Sequence, residues 1–322
     1  MAENQSSWGA AVRGVGVTFR DFFDQNVDSL VAGWDPVVAT VTDDGAQATF
    51  SGKTGAGTLT RFSEGASIPK KSRFKLFDTA FAHDQYGGQI EVSRKQLMNR
   101  DWNDAFNEFK DLSMSAQVTL SKAPAKIFNG RFATTTAVNG IKITIYNDGK
   151  PLFSTIHPRV DGGSSQSNAS NTSIPLTENN LETARVALVE QVQDDGTPIT
   201  VTGNIYLVVP TALEKAATII TGSELRSNTA NNDLNFYEGG RYPVMASHWL
   251  GAANSGSDTA WFLVAPSISK LMLVKRAGPD LDQSVDKNTK STLFDVILDL
   301  SVGSADWHGA YGSRGDNSGF ST

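Results

Sequence analysis

Residues 90–124 read IEVSRKQLMNRDWNDAFNEFKDLSMSAQVTLSKAP, and this stretch decides the fold. It opens as a strand and then changes period, because apolar side chains begin to recur at steps of three and four. Asn99 or Asp101 can cap the start of the predicted helix, and Pro124 should end or kink it. The pattern predicts about 22 helical residues, roughly 33 Å long at 1.5 Å per residue. The apolar stripe comprises Trp102, Ala105, Phe106, Phe109, Leu112, Ala116 and Leu120.

The segment before that helix is strand-like and repeatedly interrupted by glycine. Residues 37–86 contain short apolar runs separated by SGKTGAGT and SEGASIPKKS, which predicts a long two-stranded hairpin. A ribbon of two strands is at best marginally stable alone in water, so it needs a surface to lie on, and a neighbouring copy can supply one. Residues 1–36, with the aromatic group Phe19, Phe22 and Phe23, are predicted to form an arm.

The second half of the chain alternates strands with helices, which together with the first half predicts an α+β fold. The polar loop 161–173 is predicted to be solvated and mobile, and the tail 309–322 to be loose. Thr211 and Glu214 have the spacing of a capping box. Helices are predicted over residues 178–192 and from Thr211, and strands near residues 141–145, 205–209, 242–245, 261–265, 271–274 and 294–302.

Composition limits the classes of protein that the chain can belong to. Its 322 residues are 39% hydrophobic, which is enough for a sizeable core, and the absence of cysteine excludes disulfides and thiolate metal sites. The formal net charge of -6 argues against a protein whose main task is to coat nucleic acid. No apolar run is long enough to span a bilayer and the first residues lack a secretory signal, so we expect synthesis in the cytoplasm and no membrane partner.

Motifs for catalysis and metal binding are missing from the sequence. There is no nucleophile elbow and no phosphate-binding loop, and the histidines have no spacing typical of a metal site. The acidic pairs at 43–44 and 194–195 lie beside glycine, which favours solvated turns. We therefore predict that the protein is not an enzyme, with no catalytic residue, no metal and no cofactor. The four histidines are His83, His157, His248 and His308.

The order of arm, hairpin, long helix and α/β unit resembles the tailed-phage major capsid proteins with the Hong Kong 97-type fold. Residues 62–69, FSEGASIP, resemble the Glu-Gly-containing stretch of that family's extended loop. Residues 88–94, GQIEVSR, resemble the strand that leads to its spine helix. The resemblance implies an N-terminal arm at 1–36, an extended loop at 37–86, a peripheral domain with the spine helix at 87–140, an axial domain at 141–270, and a return to the peripheral domain with a C-terminal tail at 271–322.

Two further stretches are similar to the Mu-like prophage major head subunits. Residues 153–158, FSTIHP, followed by VDG and NTS, resemble their His-Pro loop, and residues 206–217, YLVVPTALEKAA, resemble their strand and helix. The resemblance implies a major capsid protein that self-assembles into the icosahedral shell enclosing the phage genome, and a place in the virion capsid. The implied partners are other copies in pentamers and hexamers, portal and scaffold proteins, and packaged double-stranded DNA without sequence-specific contact.

The resemblance also implies roles for two groups of residues. The extended-loop residues are expected to contact a neighbouring subunit, because they lie near a hairpin tip marked by Gly and Pro. The spine-helix residues are expected to anchor the helix in the core, with Phe106 and Phe109 against the strand near 294–302. The first group is Glu64, Lys70, Lys71 and Arg73, and the second is Trp102, Phe106 and Phe109.

Two alternatives remain open at this point. An encapsulin-like nanocompartment shell protein shares the fold but encloses cargo protein, and neighbouring genes for a terminase, portal and protease would separate it from a phage protein. An extracellular β-rich binding protein or glycosidase is suggested by the Gly, Ser, Thr and Asn content, but the missing secretory signal counts against it.

Overall fold

Twelve strands and four α-helices form within the part of the chain that the structure describes. The structure is a computed structural model and describes residues 33–55, 58–71, 73–98, 102–134, 137–138, 140–224 and 234–320. The helices are α1 (Arg94–Met98), α2 (Trp102–Ala125), α3 (Glu178–Val189) and α4 (Thr211–Gly222). The strands are β1 (Ala39–Thr42), β2 (Gln47–Phe50), β3 (Thr79–Ala82), β4 (Asp84–Val92), β5 (Ala137–Val138), β6 (Ile141–Thr144), β7 (Tyr206–Pro210), β8 (Val244–Ser247), β9 (Trp261–Val264), β10 (Leu271–Val285), β11 (Thr292–Ser304) and β12 (Ala310–Ser313). Single-turn 3-10 helices lie at His248–Leu250 and Ala252–Asn254.

Strand β11 is the centre of a six-stranded sheet. It pairs along its length with β10 in an antiparallel hairpin, and its other edge pairs first with β4 and then with β6. Strand β1 adds to β10 in parallel and β5 adds to β6. The alternation of Phe294, Val296, Leu298 and Leu300 puts four buried apolar side chains on one face of β11, which is the period of a half-buried strand.

Helix α2 packs on that apolar face. Phe109 is fully buried and meets Phe294 edge to face, with ring centroids 5.8 Å apart. A Cβ atom at Gly88 of β4 would lie 3.0 Å from the Cδ1 of Leu112, so the missing side chain lets the helix approach the sheet. Burying one such aromatic ring stabilises the fold by about 1.5–3 kcal/mol.

The second large sheet has four strands, in the order β12-β9-β7-β8. Helices α3 and α4 pack against it, and α3 buries Leu181 and Leu188 on the face predicted from their spacing. All four residues of β9 are buried, because Phe262 joins the larger core while Leu263 joins the core beneath the helices. Both faces of this sheet are therefore covered.

The extended hairpin is shorter than the predicted range of residues 37–86. Strands β2 and β3 pair antiparallel, and a bridge between Lys53 and Lys75 continues the pairing outward. Residues 39–42 instead pair with β10 and residues 84–86 with β11, so both belong to the six-stranded sheet. Local pattern did not reveal these pairings, because their partners lie more than two hundred residues further along the chain.

Residues 309–320 pack into the fold, and the prediction of a loose tail is wrong for them. Strand β12 is buried along its length and pairs with β9, so the chain's last strand lies in the four-stranded sheet. Phe320 packs edge to face on Phe132, with centroids 5.4 Å apart. The Gly- and Ser-rich composition concealed this strand, because its backbone pairing and burial do not depend on an apolar period.

The loop 161–173 is also packed in its second half, against the prediction of a solvated, mobile segment. Asn168 is fully buried: its Nδ2 donates to the carbonyl oxygen of Leu152 at 2.8 Å, and its Oδ1 accepts the amide N–H of Ser154 at 2.8 Å. Residues 162–165 are exposed, as the composition indicates. Polar composition predicts a solvated loop, but these polar groups form hydrogen bonds within the protein.

Two smaller expectations are also wrong. Pro210 occupies the N-cap position of α4 without a side-chain cap bond, so Thr211 already lies inside the helix and forms no capping box with Glu214. Asp194 is buried and does not lie in a solvated turn; its carboxylate accepts a hydrogen bond from the backbone of Val160.

Strand β10 extends to Val285, well beyond the predicted range 271–274. The apolar pattern did not indicate its outer half, because that half is mostly polar and solvent-facing.

Candidate assembly surfaces

The outer part of the hairpin carries large apolar side chains into solvent. Every residue from 58 to 71 is exposed, and Leu59 is 92% and Ile68 76% exposed. Glu64 and Lys70, two of the predicted contact residues, lie in residues 58–70 of this stretch, which we call the hairpin tip. Soluble monomers rarely expose contiguous large apolar groups, so the tip has the character of a contact surface.

The other two predicted contact residues brace the hairpin itself. Lys71 Nζ donates to the carbonyl oxygen of Thr58 at 2.6 Å and to the Oγ1 of Thr60 at 2.9 Å. Arg73 Nε donates to the carbonyl oxygen of Thr54 at 2.9 Å. These bonds run across the hairpin, so Lys71 and Arg73 have an intrachain role that the sequence did not predict.

The face of the six-stranded sheet opposite α2 is open and acidic. Because Phe294 and Val296 point toward the helix, Asp295 and Ile297 point to the other face. The register aligns Asp295 with Asp282 on β10 and Gln89 on β4, and Gln89 Nε2 donates to Asp295 Oδ1 at 2.5 Å. Ile297 is 47% exposed on this face. We call it the acidic sheet face; its carboxylates are Glu91, Asp280, Asp282 and Asp295.

Sequence reasoning missed the acidic sheet face. Its signal was present, since Asp280 and Asp282 alternate around Leu281 and Asp295 separates two apolar residues. Only the pairing of β4, β11 and β10 brings these carboxylates together, and that pairing is not local.

The spine-helix residues are described in part. Phe109 lies against Phe294 in the core, at the place where the helical stripe meets the strand. The side chains of Trp102 and Phe106 lie outside the described residues, as does the arm of residues 1–32, so their predicted roles stay predictions.

A polar cluster fixes the loop before β8 onto α3. Arg185 Nε and Nη2 donate to the two carboxylate oxygens of Glu182 at 2.7 and 2.6 Å, and Tyr237 Oη donates to the same carboxylate at 2.6 Å. The hydrogen bond from Arg185, followed by that from Tyr237, outweighs partial burial and lowers the pKa of Glu182 to about 2. Leu234 and Phe236 remain exposed beside this cluster and form a second apolar surface that sequence reasoning missed.

Within the described residues, no group of histidine and acidic side chains is arranged to hold a metal ion. Among the same residues, none of the helices has the length and apolarity needed to cross a bilayer.

Comparison with known proteins identifies the class. The profile of the family described as phage capsid protein matches residues 77–312. The bacteriophage JBD30 capsid aligns with a TM-score of 0.53 at 15% identity, over 70% of this chain and 93% of that one. The capsid of the empty GTA particle aligns with a TM-score of 0.50 at 11% identity, over 91% and 90%. The procapsid of satellite phage P4, which includes the size determination protein, aligns with a TM-score of 0.50 at 10% identity, over 96% of each chain. No curated protein matches the chain.

These structural matches show the Hong Kong 97-type capsid fold, and the predicted fold class is confirmed. The family profile spans most of the chain, so the chain belongs to the phage capsid protein family. It is a major capsid protein, the subunit that builds the icosahedral shell of the phage.

Proposed function

We propose that copies of this chain join mainly through the hairpin tip, which lies on the acidic sheet face of a neighbouring copy within pentamers and hexamers. The observation that carries this proposal is the complete exposure of residues 58–71 together with their apolar side chains. In this reading the hairpin is the extended loop and α2 is the spine helix of a peripheral domain. The four-stranded sheet with α3 and α4 is the core of an axial domain.

The charges of the two surfaces are complementary. Residues 53–75 contain six basic residues and one acidic residue, whereas the open sheet face presents four carboxylates. Opposite charges steer two surfaces together and fix their register. Like charges on the sheet face, with Asp282 directly opposite Asp295, repel one another until a cation lies between them.

Apolar contact supplies most of the expected binding energy. Fully burying a Leu or Ile side chain stabilises an interface by about 1.5–3 kcal/mol, whereas an exposed ion pair contributes about 0–1 kcal/mol. Leu59 and Ile68 therefore outweigh Lys70 as sources of affinity. Lys70 and the facing carboxylates decide which surface the tip binds.

The remaining partners follow from the resemblance to Mu-like head subunits, which the His-Pro loop and the strand and helix at 206–217 support. We propose a portal protein and a scaffold protein as assembly partners, and double-stranded DNA as the enclosed genome. The net charge of -6 argues against a DNA-coating surface, so we propose that the subunit encloses the DNA without sequence-specific contact. We propose that the subunit is made in the host cytoplasm and acts without catalysis or a cofactor.

A charge-swap experiment tests the proposed contact. Lys70→Glu, and separately Asp282→Lys with Asp295→Lys, should each lower the yield of shells while leaving the melting of the unassembled subunit unchanged. Combining the changes should restore shells, because the attraction returns with its sign exchanged. Lys110→Glu, at an exposed position on α2, is the matched control and should assemble normally. Failure of the combined variant to assemble, when each single set of changes folds, contradicts the contact.

A further inference from the structure

Trp307 lies between two histidine rings where the chain crosses from the six-stranded sheet to the four-stranded sheet. Its ring is parallel to that of His157, with centroids 4.3 Å apart and planes at 2°. It also stacks on His308, at 3.8 Å and 25°. The two histidine rings are so close to the indole ring, and so nearly parallel to it, that they would overlap if both lay on one face. They therefore lie on opposite faces of the indole. All three side chains are buried.

Both ring nitrogens of His308 face oxygen atoms that only accept hydrogen bonds. Nδ1 lies 2.6 Å from Asp306 Oδ1, and Nε2 lies 3.1 Å from the carbonyl oxygen of Val192. Asp306 is a carboxylate, since Oδ1 accepts the backbone N–H of His308 at 3.2 Å and Oδ2 accepts Lys270 Nζ at 3.2 Å. Each ring nitrogen therefore carries a hydrogen, and His308 is an imidazolium cation.

The ring of His157 has the same surroundings. Its Nδ1 lies 2.6 Å from Asp148 Oδ2 and its Nε2 lies 3.1 Å from Asn168 Oδ1. The amide of Asn168 cannot be turned over, because Oδ1 accepts the N–H of Ser154 and Nδ2 donates to the carbonyl oxygen of Leu152. Nε2 of His157 therefore carries a hydrogen, and its ring is held against one face of Trp307 while the His308 cation lies on the other face, where the π-electrons of the indole attract it.

We propose that Trp307, held between the ring of His157 and the imidazolium ring of His308, is a protonation-dependent lock that fixes the sheet junction and the base of the extended hairpin. The lock belongs to the single subunit and goes beyond the proposed assembly contact. It needs no neighbouring copy to act.

The base of the hairpin lies near the lock. Phe77, beside β3, meets Tyr146 edge to face with centroids 5.7 Å apart. Burial is the largest cause of the raised pKa of Tyr146, and the charge of Asp306 adds to it, so the Tyr146 hydroxyl lies within electrostatic range of the lock. A cavity of about 340 Å³ lies between the hairpin and the lock, and its lining includes Lys53, Leu76, Asp194, Lys270, Asp306 and His308.

Charged groups from several elements face His308 and set the direction of its pKa. Burial is the largest contribution and opposes the cation, but the hydrogen bond and charge of Asp306, with the charge of Asp194, outweigh burial and raise the pKa above 6.5. Asp194 comes from the loop after α3, and burial raises its own pKa. Lys270 precedes β10, Lys53 lines the cavity from the hairpin, and Asp148 lies across Trp307 on His157.

The sign of the pH dependence follows from the raised pKa. The stabilisation that the His308 cation provides is complete below about 6.5 and is lost as pH rises through the folded-state pKa. A neutral ring would point one lone pair at Asp306 or at the carbonyl oxygen of Val192, leaving two buried acceptors facing each other. The lock is therefore closed below about pH 6.5 and opens as the pH rises through the folded-state pKa of His308.

The test uses the full unassembled chain with isotope-labelled histidine. Nuclear magnetic resonance would follow the protonation of each ring against pH, with His→Gln variants assigning the four signals. Hydrogen exchange, corrected for the intrinsic effect of pH, would follow residues 74–78 and 306–310. We expect His308 to lose its proton above pH 6.5, with both segments losing protection over the same range. Titration of His308 at or below 6.5, or unchanged protection of 74–78 across its titration, would overturn the proposal.

Two substitutions should move the transition in opposite directions. Asp306→Asn removes the carboxylate and should lower the opening pH by about 1–3 units, the usual effect of losing a close opposite charge. Lys270→Gln, at a half-exposed position, removes a nearby positive charge and should raise it. His248→Gln is the matched control, because His248 is exposed and stacks on Trp249 at the surface. A purely structural role predicts no such opposed shifts, and shifts in the same direction in both variants would contradict the lock.

Discussion

Phe109 on helix α2 meets Phe294 on the central strand edge to face, at 5.8 Å between ring centroids and 76° between ring planes. The contact ties the long helix to the six-stranded sheet across a wide separation in sequence. Because side chains alternate along β11, the packing of Phe294 against the helix directs Asp295 to the opposite, acidic sheet face.

Truncation of Phe109 should therefore destabilise the subunit strongly. Phe109→Ala is expected to lower the free energy of unfolding by about 3–5 kcal/mol, since it removes a buried ring and leaves a cavity. Met114→Ala, on the same helix at a 49% exposed position, is the control and should change it by no more than about 0.5 kcal/mol. Denaturant unfolding of the unassembled subunit measures both, and equal effects would mean that the helix is oriented differently.

The loop 161–173 should tolerate insertion at one end and not at the other. Two Gly-Ser pairs inserted after Ser164 lengthen an exposed turn and should leave the melting temperature nearly unchanged. The same insertion after Asn168 disrupts a buried stretch of backbone. The backbone N–H of Gly312 donates to the carbonyl oxygen of Asn168 there, at 3.0 Å. Soluble yield and thermal melting distinguish the two, and tolerance at both sites would show that the loop is solvated throughout.

Gly315 should be the most sensitive glycine of the C-terminal segment. It has a φ of +69°, and a Cβ atom there would lie 2.0 Å from the carbonyl oxygen of Thr259. Gly315→Ala should lower the melting temperature by several degrees, because both the backbone and the packing must shift. Gly319→Ala is the control, since nothing lies within 4 Å of its Cβ position. Similar melting of the two variants would mean that this segment does not pack as described.

Sequence pattern predicted elements whose evidence is local and failed where evidence is distant. Helix α2 was predicted almost residue for residue, because its apolar stripe and Pro124 both lie within it. Strand β12 was missed, since Ala310–Ser313 is a strand only by pairing with β9. The same division holds at the surfaces. Gly, Pro and Lys predicted an exposed hairpin tip, whereas the carboxylates of the acidic sheet face are brought together by three strands.

The ion pair between Glu182 and Arg185 should make a small, pH-dependent contribution to stability. Because the bond from Arg185 lowers the pKa of Glu182 from 4.5 to about 2, the stabilisation is fully present above about 4.5 and is lost as pH falls toward 2. Glu182→Gln should therefore be less stable than the unmodified chain at pH 6, with the difference shrinking at pH 3. The carboxylate is nearly half exposed, so solvent screening keeps the whole effect within about 1 kcal/mol. Glu178→Gln, on the first turn of the same helix, corrects for a change of net charge. Denaturant unfolding at the two pH values measures the difference, and a deficit that stays constant between them would show that the pair contributes through packing and not through charge.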